Sequence, residues 1–263
     1  SIAMIKPSEF TDITYEVSEL IATITINRPD RYNALRGRTV DELLAAFKHA
    51  WVDKKVGAII LTGAGEKAFC TGGDQKERST TGGYGDTETG MFEIESLHKL
   101  IRAVPKPVIA AVNGFALGGG LELAMACHVR LASSSARMGL PEASLGVIPG
   151  YGGTQRLVQL VGKGRALEMM FSASMIDAAK AETWGLVNAV HEPDQLLEAA
   201  EAMARQFIKA SGDAQTAIIR TVNAATEGGP GFAAEIEEFG ARFATAEFTE
   251  GTTAFLEKRK PSF

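Results

Sequence analysis

From residue 13 to residue 26 apolar and polar side chains alternate, as in Ile21-Ala22-Thr23-Ile24-Thr25-Ile26. That period of two predicts half-buried strands over 13–17 and 20–26, joined as a hairpin. The period then lengthens: Val40, Leu43, Leu44 and Phe47 set the apolar face of a helix over 39–53. An apolar run predicts a buried strand over 56–62. Residues 75–92 are polar and glycine-rich, which predicts a long loop over the site. A helix over 92–104 follows, with Ile94, Leu97, Leu100 and Ile101 on one face and His98 on the exposed one. Residues 107–112 predict a second buried strand, and 130–138 a strand, a turn of three serines and a return. Helices follow over 154–161, 165–171 and 178–184, the last capped by Gly185, and then a short strand over 186–190. Beyond Pro193 the strand pattern stops. Helical spacing near 194–209, 213–226, 231–243 and 247–258 marks a C-terminal module, broken at Gly228-Gly229-Pro230-Gly231. The chain reads as α/β, with a core over 10–192 and a helical module over 193–263.

Residues 107–142 carry the chemistry. After the strand at 107–112, Asn113-Gly114 turns the chain, and Gly118-Gly119-Gly120 opens a helical pattern of Leu121, Leu123, Ala124 and Met125. One acid, Glu122, sits among them. Glycine in a helical stretch costs up to ~1 kcal/mol relative to alanine, so the triplet needs a reason. Either it packs closely against a neighbouring strand, or its N–H groups at the positive end of a helix meet an anionic atom. A carboxylate in so apolar a setting shifts the balance toward a site. A second acid, Glu142, follows 20 residues later behind Pro141, where the residues alone read as an ordinary dipole-stabilised helix-start glutamate.

Length and composition narrow the class. The 263 residues, 45% hydrophobic, are enough for a sizeable core. A net charge of −5 provides no basic field for nucleic acid. Cys70 and Cys127 have no CxxC spacing, and with four scattered histidines they form no metal-ligand pattern. A reducing compartment is the simpler reading of two such cysteines. No apolar run reaches the roughly 20 residues that span a bilayer, and no signal-peptide core is visible, so the expectation is a soluble, cytoplasmic protein without a membrane partner. Gly63-Ala64-Gly65 is too little for a phosphate loop. Gly72-Gly73-Asp74, taken alone, is an ordinary turn.

Together, Ile109-Ala110-Ala111-Val112-Asn113-Gly114, the glycine triplet and Cys127-His128 resemble the signature of the enoyl-CoA hydratase/isomerase family, the crotonases. The likeness runs from about residue 13 to the C-terminus. It implies the ClpP/crotonase-like fold, a spiral of ββα units with a C-terminal helical trimerisation module. It also implies homotrimers or dimers of trimers, acyl-CoA substrates of the kind met in fatty-acid or related degradation, and no cofactor beyond the CoA of the substrate. By the resemblance, the N–H groups of Gly73 and Gly119 form an oxyanion hole, while Glu122 and Glu142 hold a water between them. Contacts to CoA fall by the same likeness on Arg31, Ala34, Thr71, Asp74, Phe255 and Lys258, the last two across a subunit boundary. Read from the residues alone, Arg31 is equally a solvated cation, and Phe232, Ile236, Phe239 and Phe243 are either core or a trimer face. His128 stands where the family usually carries an acid and is read as structural.

Two features pull in different directions. Cys70 to Gln75 followed by a Gly-Gly-Tyr loop resembles ring-making and ring-opening crotonases, which look as though they lack both glutamates and depend on an aspartate shortly after the second acid position. Here Gly146 to Gly153 contains no acid, and both glutamates are present. Two carboxylates ~4 Å apart repel by ~4 kcal/mol at an effective dielectric of 20, enough to separate their titrations by up to ~3 pH units. One then works as a base while the other is an acid. The reading is therefore a hydratase of 2-enoyl-CoA. A cyclohex-1-ene-carboxyl-CoA hydratase, an enoyl-CoA isomerase and a non-catalytic acyl-CoA or RNA binder stand as alternatives.

Overall fold

The structure, a computed structural model, describes residues 4–74 and 88–263. Strands β1 (Ile13–Ser18) and β2 (Ile21–Ile26) form the expected antiparallel hairpin, with Ile13 opposite Ile26. Helix α1 (Gly37–Val52) follows, and β3 (Ala58–Gly63) then pairs in parallel with β2. From here the chain repeats one unit. A long strand enters one sheet, a short strand enters a second, and a helix returns. The first unit is β3, β4 (Ala68–Cys70) and α2 (Glu88–Ala103); the second is β5 (Val108–Val112), β6 (Phe115–Leu117) and α3 (Gly119–Ala126). The third begins with β7 (Val129–Ser133) and β8 (Arg137–Gly139), followed by a 3-10 turn at Pro141–Leu145, α4 (Gly153–Val161) and α5 (Lys163–Ser172). The long strands stand in the order β3-β5-β7 and the short ones in the order β4-β6-β8. This common order is the ββα spiral. Strand β9 (Met175–Asp177) closes the short sheet, and β10 (Ala189–His191) follows α6 (Ala178–Trp184) to close the long one.

Every residue of β3 and β5 is buried because both faces of the long sheet are covered. One face packs Ile59, Leu61, Ala110 and Val112 with Leu43 and Phe47 of α1 and with Leu97 and Ile101 of α2. The other packs Ile60, Ile109 and Leu131 beneath Leu196, Ala200 and Ala204 of α7 (Leu196–Ile208). The first helix beyond Pro193 thus lies on the sheet itself. Helices α8 (Gly212–Thr226), α9 (Pro230–Arg242) and α10 (Ala246–Leu256) complete the chain. Among the described residues no helix is long and apolar enough to cross a membrane.

Three expectations need correction. The strand expected over 186–190 begins at Ala189, because the N–H groups of Leu186 and Val187 turn back to the Ala181 carbonyl and do not join the ladder. Helix α2 starts at Glu88, inside the stretch read as loop; the remainder of that loop lies outside the described residues. His98, expected on the exposed face, is 3% exposed. It shares its face with Ile94 and Ile101 at spacings of four and three, donates from Nδ1 to the Ile94 carbonyl at 2.8 Å, and stacks on Tyr151 at 5.9 Å.

Burial lowers the pKa of His98 from 6.5 to about 4, with the charge of Arg156 acting in the same direction. Below pH 6.5 the unfolded chain takes up a proton at this position that the folded chain refuses. Stability is therefore lost as pH falls from 6.5 to about 4, by about 3 kcal/mol over the window from this residue. Urea unfolding across that range is expected to show a flatter pH dependence for His98→Gln than for the parent chain. Equal slopes would contradict the assignment.

Candidate active site

Helix α3 is pressed end-on against the short sheet. A Cβ at Gly120 would lie 1.8 Å from the Cys70 carbonyl oxygen, so only glycine admits this approach. Gly118, at φ 55°, turns the chain into the helix. The Gly119 N–H is then one of the first-turn donors that have no partner within a helix, at the positive end of the dipole. Facing it is the Gly72-Gly73 turn. The Leu35 N–H donates to the Gly72 carbonyl at 2.7 Å, and the Asp74 N–H donates to the Leu35 carbonyl at 2.8 Å. The Gly73 N–H takes part in neither bond. A Cβ on Gly72 would lie 3.2 Å from the Gly119 nitrogen, so the two segments are in contact. Both Gly73 and Gly119 line a cleft, which Glu122, Glu142 and Thr71 also line.

Glu122 is 1% exposed. Its Oε2 accepts from the N–H of Tyr151 at 2.7 Å and of Gly153 at 2.8 Å, at the start of α4. Its pKa is raised well above the carboxylate range by burial, then by the charges of Glu142 and Glu235, against the pull of these two bonds. Glu142 sits in the first turn of the Pro141–Leu145 3-10 helix, and its Oε2 would lie 3.3 Å from a Cβ on Gly118. That places a second carboxylate over the entry to α3. Helix α10 presses on the turn that carries it: a Cβ at Gly251 would come 2.5 Å from the Leu145 carbonyl carbon, and one at Gly146 would come 2.6 Å from that of Glu247.

Sequence reasoning missed a third acid. Glu235 of α9 is 4% exposed and accepts from the N–H of Gly152 at 2.5 Å and of Thr154 at 2.8 Å, as well as from the Thr154 hydroxyl. The signal was there, since Phe232, Glu235 and Phe239 fall on one helical face and an acid in an apolar stripe had already singled out Glu122. Arg28 was missed as well. It pairs with Asp74 at 3.1 Å and reaches the Ala34 carbonyl, tying the segment after β2 to the Gly72-Gly73 turn. Asp74 is 7% exposed, so its carboxylate anchors this loop.

The remaining expected contacts are scattered. Arg31 is exposed on the 3-10 turn Pro29–Arg31, Ala34 is buried, and the Thr71 hydroxyl donates to the Tyr32 carbonyl at 3.2 Å. Phe255 and Lys258 lie exposed at the end of α10. Within one chain Arg31, Ala34, Asp74, Phe255 and Lys258 do not line the cleft. His128 accepts the Val108 N–H on Nδ1 at 2.9 Å, a structural bond between β5 and the end of α3. Cys70 and Cys127 are free, buried thiols, each pushed up to about 12 by burial.

A ββα spiral thus carries two backbone N–H groups and two carboxylates on one cleft, an arrangement suited to an enzyme site. The chain belongs to the enoyl-CoA hydratase/isomerase family, whose sequence profile matches residues 16–263. It is 41% identical over 257 residues to a short-chain-enoyl-CoA hydratase of Clostridium acetobutylicum, covering 96% of this chain and 97% of that protein. It is also 41% identical to a crotonyl-CoA hydratase of Syntrophomonas wolfei, covering 97% and 98%. Among solved structures, a carnitinyl-CoA hydratase from Mycobacterium avium superposes with a TM-score of 0.86 at 35% identity, over 96% of this chain and 98% of that one.

Replacing Gly120 with alanine should force α3 away from β4. A contact of 1.8 Å with a backbone oxygen has no flexible side chain to give way. The expected loss is about 3 kcal/mol or more in unfolding free energy, at the top of the range for overpacking. A midpoint equal to that of the parent would mean that the helix does not approach the strand this closely.

Proposed function

We propose that this chain is an enoyl-CoA hydratase, adding water across the 2,3-double bond of a 2-enoyl-CoA thioester. The observation that carries the reading is the single cleft that holds Gly73, Gly119, Glu122 and Glu142. Attack of water at Cβ moves charge onto the thioester carbonyl oxygen. The N–H groups of Gly73 and Gly119 receive it, and one such donor is typically worth ~3–4 kcal/mol in the transition state. Water sits between the carboxylates. The raised pKa of Glu122 separates the two titrations, so one group takes the water proton while the other delivers a proton to Cα. We assign water activation and proton transfer to Glu142. Glu122, with Oε2 held by two backbone bonds, positions the water and supports acid–base exchange.

The relatives named for short-chain and crotonyl substrates support a short acyl group. Thr71, Arg31 and Ala34 are proposed to meet CoA from one subunit and Phe255 and Lys258 from a neighbour, which requires an oligomer; a homotrimer or a dimer of trimers is the assembly proposed. Asp74 contributes by holding the Gly72-Gly73 turn through Arg28. Two buried free thiols fit a reducing, cytoplasmic setting.

Crotonyl-CoA and cyclohex-1-ene-carboxyl-CoA offered side by side test the reaction, followed by loss of the conjugated thioester absorbance and by product mass. The linear substrate is expected to gain one water. Failure of both substrates to gain water would overturn the proposal, and a preference for the ring would overturn the short linear acyl group. Glu122→Gln and Glu142→Gln are each expected to lower the rate by ~10²–10⁴, with CoA affinity nearly intact by calorimetry. Parent-like rates in either variant would remove the pair from the mechanism.

A further inference from the structure

Glu235 is a buried carboxylate to which the reaction above gives no task. Among the described residues its bonds come from two backbone N–H groups and one hydroxyl and none comes from a cation; Arg156 acts on it through charge alone. A charge held this way is costly unless the arrangement requires it. The arrangement is an alternation. Along Tyr151-Gly152-Gly153-Thr154 the first and third N–H groups point to Glu122, and the second and fourth point to Glu235. Gly152, at φ 93°, takes the left-handed conformation that turns the chain here. The segment is stretched between two carboxylates from α3 and α9, each gripping one side of it.

We propose that Glu235 is a positioning residue for the reaction. By holding Gly152 and Thr154 it fixes the two N–H groups that hold Glu122, and so sets the place of the Glu122 carboxyl in the cleft. The proposal rests on the hydratase reading for its kinetic test. Phe239, four residues on, reinforces the same clamp, since a Cβ on Gly150 would meet its ring at 2.4 Å. Glu235 also acts through its charge. Charged groups acting on Glu122 are Glu142 from the 3-10 turn and Glu235 from α9, both of which raise its proton affinity. Arg156 of α4 is committed to Glu227 at 2.5 Å, and His98 of α2, stacked on Tyr151, stays neutral down to about pH 4. Burial raises the proton affinity of Glu235 itself, against its bonds to Thr154 and Gly152 and the charge of Arg156. Removing its ionised form lowers the pH at which Glu122 titrates, an effect larger than the opposing loss of either backbone bond to Glu122.

The test compares Glu235→Gln and Glu235→Asp with the parent enzyme on crotonyl-CoA across pH. The glutamine keeps the size but loses the charge, and it sets an amide donor against one backbone N–H. Its kcat is expected to fall at least ~10-fold with KM changed less than ~3-fold, and the limb of the profile that belongs to Glu122 is expected to move to lower pH. The aspartate keeps the charge and is expected to leave that limb in place. Parent-like kcat and an unmoved limb in Glu235→Gln would overturn the proposal. So would a loss of activity that only follows a loss of folded protein, with the limb unmoved in whatever remains active. Infrared titration of the carboxylic-acid band that is absent in Glu122→Gln reads the same shift without substrate. A shifted band in an enzyme that hydrates no 2-enoyl-CoA would fault the hydratase reading and leave the clamp standing. An unshifted band beside normal parent hydration would do the reverse.

Discussion

Glu122 lies 1% exposed inside a helix whose other side chains are apolar, and what holds it there is the start of α4, which supplies two N–H groups to one of its oxygens. Without those donors the ionised group would bear a desolvation cost of several kcal/mol. The bond geometry constrains much else. A Cβ on Gly153 would lie 2.9 Å from the same oxygen, so that residue has no side chain. The turn before it must present alternate N–H groups in opposite directions, and a second buried acid answers the other two.

The demand extends to the far end of the chain. Glu235 and Phe239 come from α9, and α10 packs against the 3-10 turn that carries Glu142 through the glycine contacts at 146 and 251. The spiral supplies the strands, the two backbone donors and Glu122. The C-terminal helices press the second carboxylate and the α4 turn into place. Neither half makes the site alone, which is why the change from strand pattern to helical pattern near Pro193 separates kinds of element but not functions.

What could be read in the sequence was whatever leaves a long period or a local contradiction. The hairpin, α1, the buried strands and the four C-terminal helices showed themselves by spacing. Glu122 and the glycine triplet showed themselves as residues out of keeping with their surroundings, and the family resemblance turned Glu142, Gly73 and Gly119 from turn residues into a constellation. The short strands β4, β6 and β9 are three residues each, too short to display a period. His98 was assigned to the wrong face because a polar residue at an apolar spacing was read by its chemistry and not by its position. Arg28 and Asp74 were opaque for another reason: their pairing joins segments 46 residues apart, and no local pattern records it. Glu235 had the same local signal as Glu122, but it lay in a helix that was read only for packing.

Two helix starts face one cleft, and they do different work. The N–H groups of α4 and the turn before it bind carboxyl oxygens that are present throughout, on Glu122 and on Glu235. Among the described residues the Gly119 N–H at the start of α3 has no such standing partner, and on the proposed reading it is available, with Gly73, to charge that exists only while the thioester oxygen is enolate-like. Catalysis comes only from interactions stronger in the transition state than in the ground state. A carboxylate placed on the α3 donors would satisfy them permanently and remove that difference. Glu142, whose oxygen stands over Gly118, is the nearest candidate for such a short circuit. Glycine at 118 lets that carboxylate stand close to the helix entry, while the packing of its own turn against α10 ties the turn to the C-terminal helices. The separation of standing charge from developing charge is thus built from glycine positions and helix packing, with the ionisable groups placed around them.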